Sequence, residues 1–335
     1  MQPPLIPPVS SVCCYTRFYD HVANCHELCH PAFTRALACM SKYSEEFFIN
    51  ATLNSVSFSA TNASLSAYCR FTYDGNFFTK FNIRDRGAGD GAPDLDDTDH
   101  MQTVTGQLCV QPLLAILKHK NLEKALERLD LVIIDGITTH SDHEQGDHDS
   151  LESKLIIRLH CKHGIVKTHR LLLQTPSSQL HLHVPEAPNE SRVVIGPKAM
   201  REMIDHFPST RGKADPQLIW VFDDTEVHVR SLESSLENKG TGQLSTELTI
   251  SADEFENYEI FATPISLAFH LREFNATIAY AESMEAILDL RFTDPAAALY
   301  VDVRSDSIES LFAMSTSRVP GAPEPPASAV LNQAR

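Results

Sequence analysis

A chain of 335 residues, 42% hydrophobic and 21% charged, has the composition of a folded protein and enough length for about two domains with separate cores. Its formal charge of -16 makes the surface as a whole repel nucleic acid and acidic membranes, so any DNA contact has to come from a locally basic face. No apolar run is long enough to cross a bilayer, and the N-terminus lacks a basic segment followed by an apolar one; an intracellular chain without a membrane span or secretory signal is expected.

Residues 1–30 are expected to form a divergent or disordered lead. Pro3, Pro4, Pro7 and Pro8 oppose regular structure at its start. Cys13, Cys14, Cys25, His26, Cys29 and His30 then fall close together and invite a zinc reading. Their spacing supplies no second ligand pair of the usual kind, so no metal and no cofactor is expected. Outside this stretch the remaining cysteines show no framework and are expected as thiols.

After Pro31, Phe33, Leu37 and Met40 lie at helical spacing, with Arg35 and Lys42 left to solvent. Strand alternation follows at 48–51 and 53–60, then at 67–73 beyond a turn, and Phe77, Phe78 and Phe81 read as core. A Gly- and Asp-rich polar insertion spans 84–107. Its acids, Asp94, Asp96 and Asp97, lack the turn glycine and the later glutamate of a calcium loop. Leu113, Leu114, Ile116 and Leu117 mark a second short helix ending in Lys118, His119 and Lys120, a placement that the helix dipole alone favours. A further helical turn or two is expected within 122–129 and a strand at 131–134. The polar insertion 138–152 carries His140, His143 and His148. Residues 155–174 then read as a hairpin turning near His163 and Gly164.

Residues 175–191 read as an extended connector between domain 1 (31–174) and domain 2 (192–317). Leu180, Leu182 and Val184 alternate along it and are candidates for bordering a partner groove. Domain 2 repeats the grammar of domain 1: a strand at 193–195, then a helix opened by Pro197 with Met200, Ile204 and Phe207 as its stripe and Lys198 and Arg201 outside it. A hairpin turns at Asp223 and Asp224, and another strand covers 244–250. The clearest pattern is at 263–303, where a strand leads into a helix with Phe274, Ile278 and Ala281 as its stripe, and two strands follow. Pro-rich residues 318–335 are expected as a disordered tail. The fold class is α+β: two topologically similar domains, each with two helices on antiparallel sheet.

Three stretches carry a resemblance. Asn62-Ala63-Ser64-Leu65-Ser66-Ala67-Tyr68 with Phe71 and Phe77-Phe78 is one. The run from Leu159 to His169 (LHCKHGIVKTH) is the most specific, and Leu271-Arg272-Glu273-Phe274 with Tyr280-Ala281-Glu282 is the third. Together they resemble the Rad-nine family, a subunit of the nine-one-one DNA-damage checkpoint clamp in the sliding-clamp superfamily. The resemblance implies a nuclear, non-catalytic subunit of a heterotrimer with two paralogous clamp subunits. A checkpoint clamp loader would place the ring on double-stranded DNA, where it serves checkpoint and repair proteins. It also implies a first strand feeding directly into the first helix, which residues 1–30 do not display, and a long phosphorylated tail, for which only 318–335 is available.

In such a ring the helices face DNA. On helices taken as 32–43, 111–121, 197–207 and 271–281, Arg35, Lys42, Lys118, Lys120, Lys198, Arg201 and Arg272 are set against Glu202, Asp205 and Glu273, a basic surplus on an acidic chain. Such a surplus suits diffuse, sequence-blind phosphate contact. Three other readings stand beside it: a self-trimerising replicative clamp, an acidic α+β interaction domain without DNA contact, and a nuclease. The last has no carboxylate constellation to support it, since Asp223 and Asp224 suit turn chemistry alone.

Overall fold

The structure is a computed structural model that describes residues 11–17, 29–84, 103–120, 122–134, 152–176, 182–185, 187–207, 217–232 and 246–319. It divides into two compact units. The first takes in the chain up to Leu180 except 42–44 and 61–70, and those two segments group with His181–Arg335 in the second.

Unit 1 opens with β1 (Ser11–Arg17) and α1 (Cys29–Tyr43), followed by β2 (Glu46–Ala51), β3 (Ser55–Thr61), β4 (Ala67–Asp74) and β5 (Lys80–Arg84). After 85–102 come β6 (Val104–Cys109), α2 (Val110–Leu117), α3 (Leu122–Ala125), β7 (Leu126–Ile134), β8 (Lys154–Cys161) and β9 (Ile165–Leu172). One sheet runs β5-β1-β7-β8-β9, and β4, β3, β2 and β6 lie side by side in a second. Phe33 of α1 sits 5.2 Å from Phe58 on β3 and 5.9 Å from Tyr73 on β4, so the predicted stripe of α1 is seated on sheet by aromatic contacts.

The lead expected to be irregular instead supplies a strand. β1 pairs antiparallel with β5 on one side and β7 on the other, Cys14 lying opposite Phe81 and Leu131. A strand bonded on both sides need not show the alternation that marks a half-exposed one, and the neighbouring prolines hide it further. β7 also starts earlier than expected, with helix confined to 122–125. A bulge between Leu126 and Arg128 interrupts its alternation and explains the difference. The insertion expected over 84–107 gives up Arg84 to β5 and Val104–Gln107 to β6.

Unit 2 continues with β10 (Ser191–Ile195), α4 (Pro197–Asp205), β11 (Gln217–Phe222), β12 (Glu226–Leu232), β13 (Glu247–Ser251) and β14 (Asn257–Glu259). It closes with β15 (Ile265–His270), α5 (Leu271–Met284), β16 (Leu288–Phe292), β17 (Ala298–Ser305) and β18 (Ile308–Ser315). The strand orders are β13-β12-β11-β15, and β14-β10-β16-β17-β18 side by side. Phe274, Ile278 and Ala281 of α5 are fully buried, as their spacing predicts. Phe274 lies 5.1 Å from Phe269 and 6.2 Å from Trp220, while Tyr280 packs on Phe312 and bonds Ser310 at 3.0 Å. One helix thereby fastens two sheets within the unit.

Glu273 departs from the expected pattern. It is 6% exposed, although its position lies off the apolar stripe. The reason is polar: Asn62 Nδ2 donates to its carboxylate at 3.3 Å, and its carbonyl oxygen accepts from Thr277 Oγ1 at 3.0 Å. The Tyr43 hydroxyl closes this cluster, 2.7 Å from Thr277 Oγ1. Asn62 also accepts from the backbone N–H groups of Ser66 and Ala67 at 2.8 and 3.0 Å, holding the turn in which Leu65 has a φ of 55°. Two of the stretches that carry the family resemblance therefore meet at one hydrogen bond. Asn62→Ala is expected to cost about 1–3 kcal/mol, because it strips acceptors from two N–H groups and a donor from a buried carboxylate. A thermal melt of the variant checks this, with Asn62→Asp, which keeps the turn acceptor but faces Glu273 with a second carboxylate, expected to fall no higher than wild type.

Candidate nucleic-acid interface

The seven basic residues singled out from the sequence divide between the units. Arg35 is half-buried on α1, and Lys118 and Lys120 are exposed just beyond α2, in unit 1. Lys42 in the last turn of α1, Lys198 and Arg201 on α4, and Arg272 on α5 belong to unit 2. Lys118 caps α2 rather than continuing it, its N–H donating to the Leu114 carbonyl at 2.8 Å. The helix dipole accounts for cations at Lys42 and Lys118, both at helix C-terminal ends. It opposes them at Lys198 and Arg272, each in the first turn of its helix. At those two positions a positive charge needs another reason, and a helix N-terminus bearing a cation is a site where phosphate is doubly favoured.

The acids on the same helices behave differently from one another. Glu273 is withdrawn into the core and offers nothing to an exposed surface. Glu202 and Asp205 remain exposed on α4. α5 runs on to Met284 and so brings in Glu282, whose carboxylate lies 3.5 Å from Arg201. Arg201 is thus partly neutralised within α4 and α5. What remains basic is clearest at the end of α1 and beyond α2, with no acid within the bounds of either helix. Lys198 and Arg201 are three residues apart and share one side of α4.

The other candidates fare unevenly. Leu182 and Val184 of the connector are half-buried in irregular backbone, and Leu180 lies outside the described residues. Asp94, Asp96, Asp97, His140, His143 and His148 lie outside them too, as do Cys25 and His26. Cys39, Cys69 and Cys161 are buried free thiols, and burial pushes the Cys39 thiol well above its ordinary range. Among the described residues no group of three or more His, Cys, Asp or Glu is placed to hold a metal ion, and no helix is long and apolar enough to cross a membrane. Asp223 and Asp224 are engaged in their turn: Tyr258 donates its hydroxyl to the Asp223 carbonyl, and Thr263 Oγ1 donates to Asp224 at 2.5 Å.

Two antiparallel units with this element order define the sliding-clamp fold, and solved structures agree. Proliferating cell nuclear antigen from Entamoeba histolytica matches with a TM-score of 0.58 at 10% identity, covering 92% of this chain and 99% of that one. The PCNA2–PCNA3 complex of Sulfolobus tokodaii matches with 0.58 at 8% identity, over 91% and 98%. The PCNA of A. fulgidus bound to the C-terminal region of FEN-1 matches with 0.57 at 11% identity, over 93% and 100%. The family is narrower than the fold. A family model described as Rad9 matches residues 33–317, and the chain belongs to that family. The DNA repair protein rad9 of Schizosaccharomyces octosporus is 24% identical over 241 residues, 67% of this chain and 52% of that protein, so the chain spans about half the length of this relative.

Proposed function

We propose that this chain is one subunit of a heterotrimeric checkpoint clamp that encircles double-stranded DNA in the nucleus, as a platform without catalysis of its own. The observation that carries the reading is the Rad9 match over both units of a sliding-clamp fold. Its partners are two paralogous clamp subunits, a clamp loader, and repair and checkpoint proteins. One of the matched clamps was solved with the FEN-1 C-terminal region bound, and Leu182 and Val184 are the connector positions such a segment would use here. Diffuse phosphate contact by Lys42, Lys118, Lys120, Lys198 and Arg272 supplies attraction, with Arg35 and Arg201 as lesser contributors. Ring closure, rather than tight binding, supplies retention. Assembly has a physical route, since β9 and β13 each end a sheet and can accept a strand from another chain.

Native mass spectrometry of the chain mixed with equal amounts of both paralogous subunits from the same organism tests this. A one-to-one-to-one complex is expected. A homotrimer that persists in their presence would move the reading to a replicative clamp, and a monomer that ignores them to an acidic interaction domain.

A further inference from the structure

The two free sheet edges carry opposite charge. Between Lys154 and Leu172, the hairpin of β8 and β9 contains Lys154, Arg158, Lys162, Lys167 and Arg170, three histidines and no acid, within a chain of net charge -16. Asp130 on neighbouring β7 does not cancel it, because that carboxylate is already held by Arg128 at 3.0 Å and by His160 at 2.8 Å. Between Thr246 and Glu259, the segment of β13 and β14 contains Glu247, Asp253, Glu254, Glu256 and Glu259 and no basic residue. All five acids are exposed, as are Lys162, Lys167 and Arg170. Among the described residues β9 pairs only with β8, and β13 only with β12.

Charge on an edge strand commonly serves to keep other strands away. That explanation fits β9 poorly. Ile165, Val166 and Leu172 are 53%, 50% and 57% exposed, which leaves apolar surface along the same edge that the charges would have to protect. A basic edge repels a second basic edge and admits an acidic one. The acidic edge present in this chain is that of β13, so the occupant that fits β9 is the β13 of another copy.

We propose that this chain, when alone, associates head to tail with a second copy, the basic β9 edge of one against the acidic β13 edge of the next. The contact is heterologous, because the two surfaces that meet are unlike, and it therefore leaves one edge of each sign free at the ends of a dimer. It goes beyond the heterotrimer reading: it concerns the chain without paralogues, which would compete for the same edges.

Sedimentation velocity of the full chain at about 0.1 M and about 1 M salt, where the screening length falls from about 10 Å to about 3 Å, gives the first readout. Association at the lower salt and its loss at the higher are expected. Reversal of β9 (Lys167→Glu with Arg170→Glu) and reversal of the other edge (Glu247→Lys with Asp253→Lys) should each weaken self-association by about tenfold or more. A one-to-one mixture of the two variants should associate again, because each then offers edges of one sign to the other, and this also shows that both are folded. A wild-type chain that is monomeric at low salt, or a mixture no more associated than its parts, overturns the inference. Neither result touches the heterotrimer, which the paralogue experiment reads separately.

Discussion

Phe274→Ala is expected to destabilise unit 2 by about 3–5 kcal/mol, the range for removing a fully buried aromatic ring. The ring has no exposed surface and stands edge-on to both Trp220 and Phe269. Those two are stacked nearly parallel at 6.1 Å, and Trp220 also stacks on Phe222 at the same distance. All three belong to paired strands, β11 and β15, whose backbone ladder runs from Gln217 opposite His270 to Phe222 opposite Ile265. A hydrogen-bonded sheet cannot close in on the vacated space, so the cavity term adds in full to the lost transfer term. With native domains stable by only about 5–15 kcal/mol, the loss is a large share of the total. Denaturant unfolding checks it, with Arg272→Ala as the comparison: two residues away but exposed on the same helix, it is expected to stay within about 0.5 kcal/mol of wild type. Near-equal midpoints for the two variants would remove Phe274 as the fastening point of α5.

The same helix shows what could be read in advance. Its stripe is legible because Phe274, Ile278 and Ala281 obey a single period, and a period is a property of sequence alone. Glu273 was misjudged because its burial depends on Asn62, more than 200 residues earlier, and on Tyr43, neither of which any local window contains. β1 escaped notice for a related reason: its neighbours β5 and β7 are distant in the chain, and pairing on both sides removes the polar face that announces a strand. β14 has only three residues, too few for a period of two to show. Among the candidate DNA contacts, residue type and helix membership were legible, but neutralisation was not. That Glu282 would reach Arg201 follows from the packing of α4 on α5, which the spacing of neither helix encodes. The charge of the β8–β9 hairpin, by contrast, could have been found by counting Lys, Arg, Asp and Glu across the stretch that carried the family resemblance.

Reversing Lys118, Lys120, Lys198 and Arg201 together to Glu is expected to weaken DNA binding by the assembled complex by about tenfold or more at physiological salt. Each cation that meets a phosphate releases a counterion and contributes about -0.9 to the slope of log K against log salt, so the slope should become shallower by up to about 3 to 4 units. Lys118 and Lys120 should carry most of the change, being exposed beyond a helix that contains no acid. Arg201 should carry least, because Glu282 already engages it, and losing that half-exposed pair should cost the fold under about 1 kcal/mol. Net charge alone would also weaken binding, which the reversal of Arg230 and Arg304, exposed on β12 and β17, controls for. If placement matters, those reversals leave the salt slope nearly unchanged while the helix reversals flatten it. Equal effects from both sets would mean that only the overall potential is sensed and that no helix face meets phosphate. An unaltered slope in both would leave the chain an acidic interaction domain that reaches DNA, if at all, through its partners.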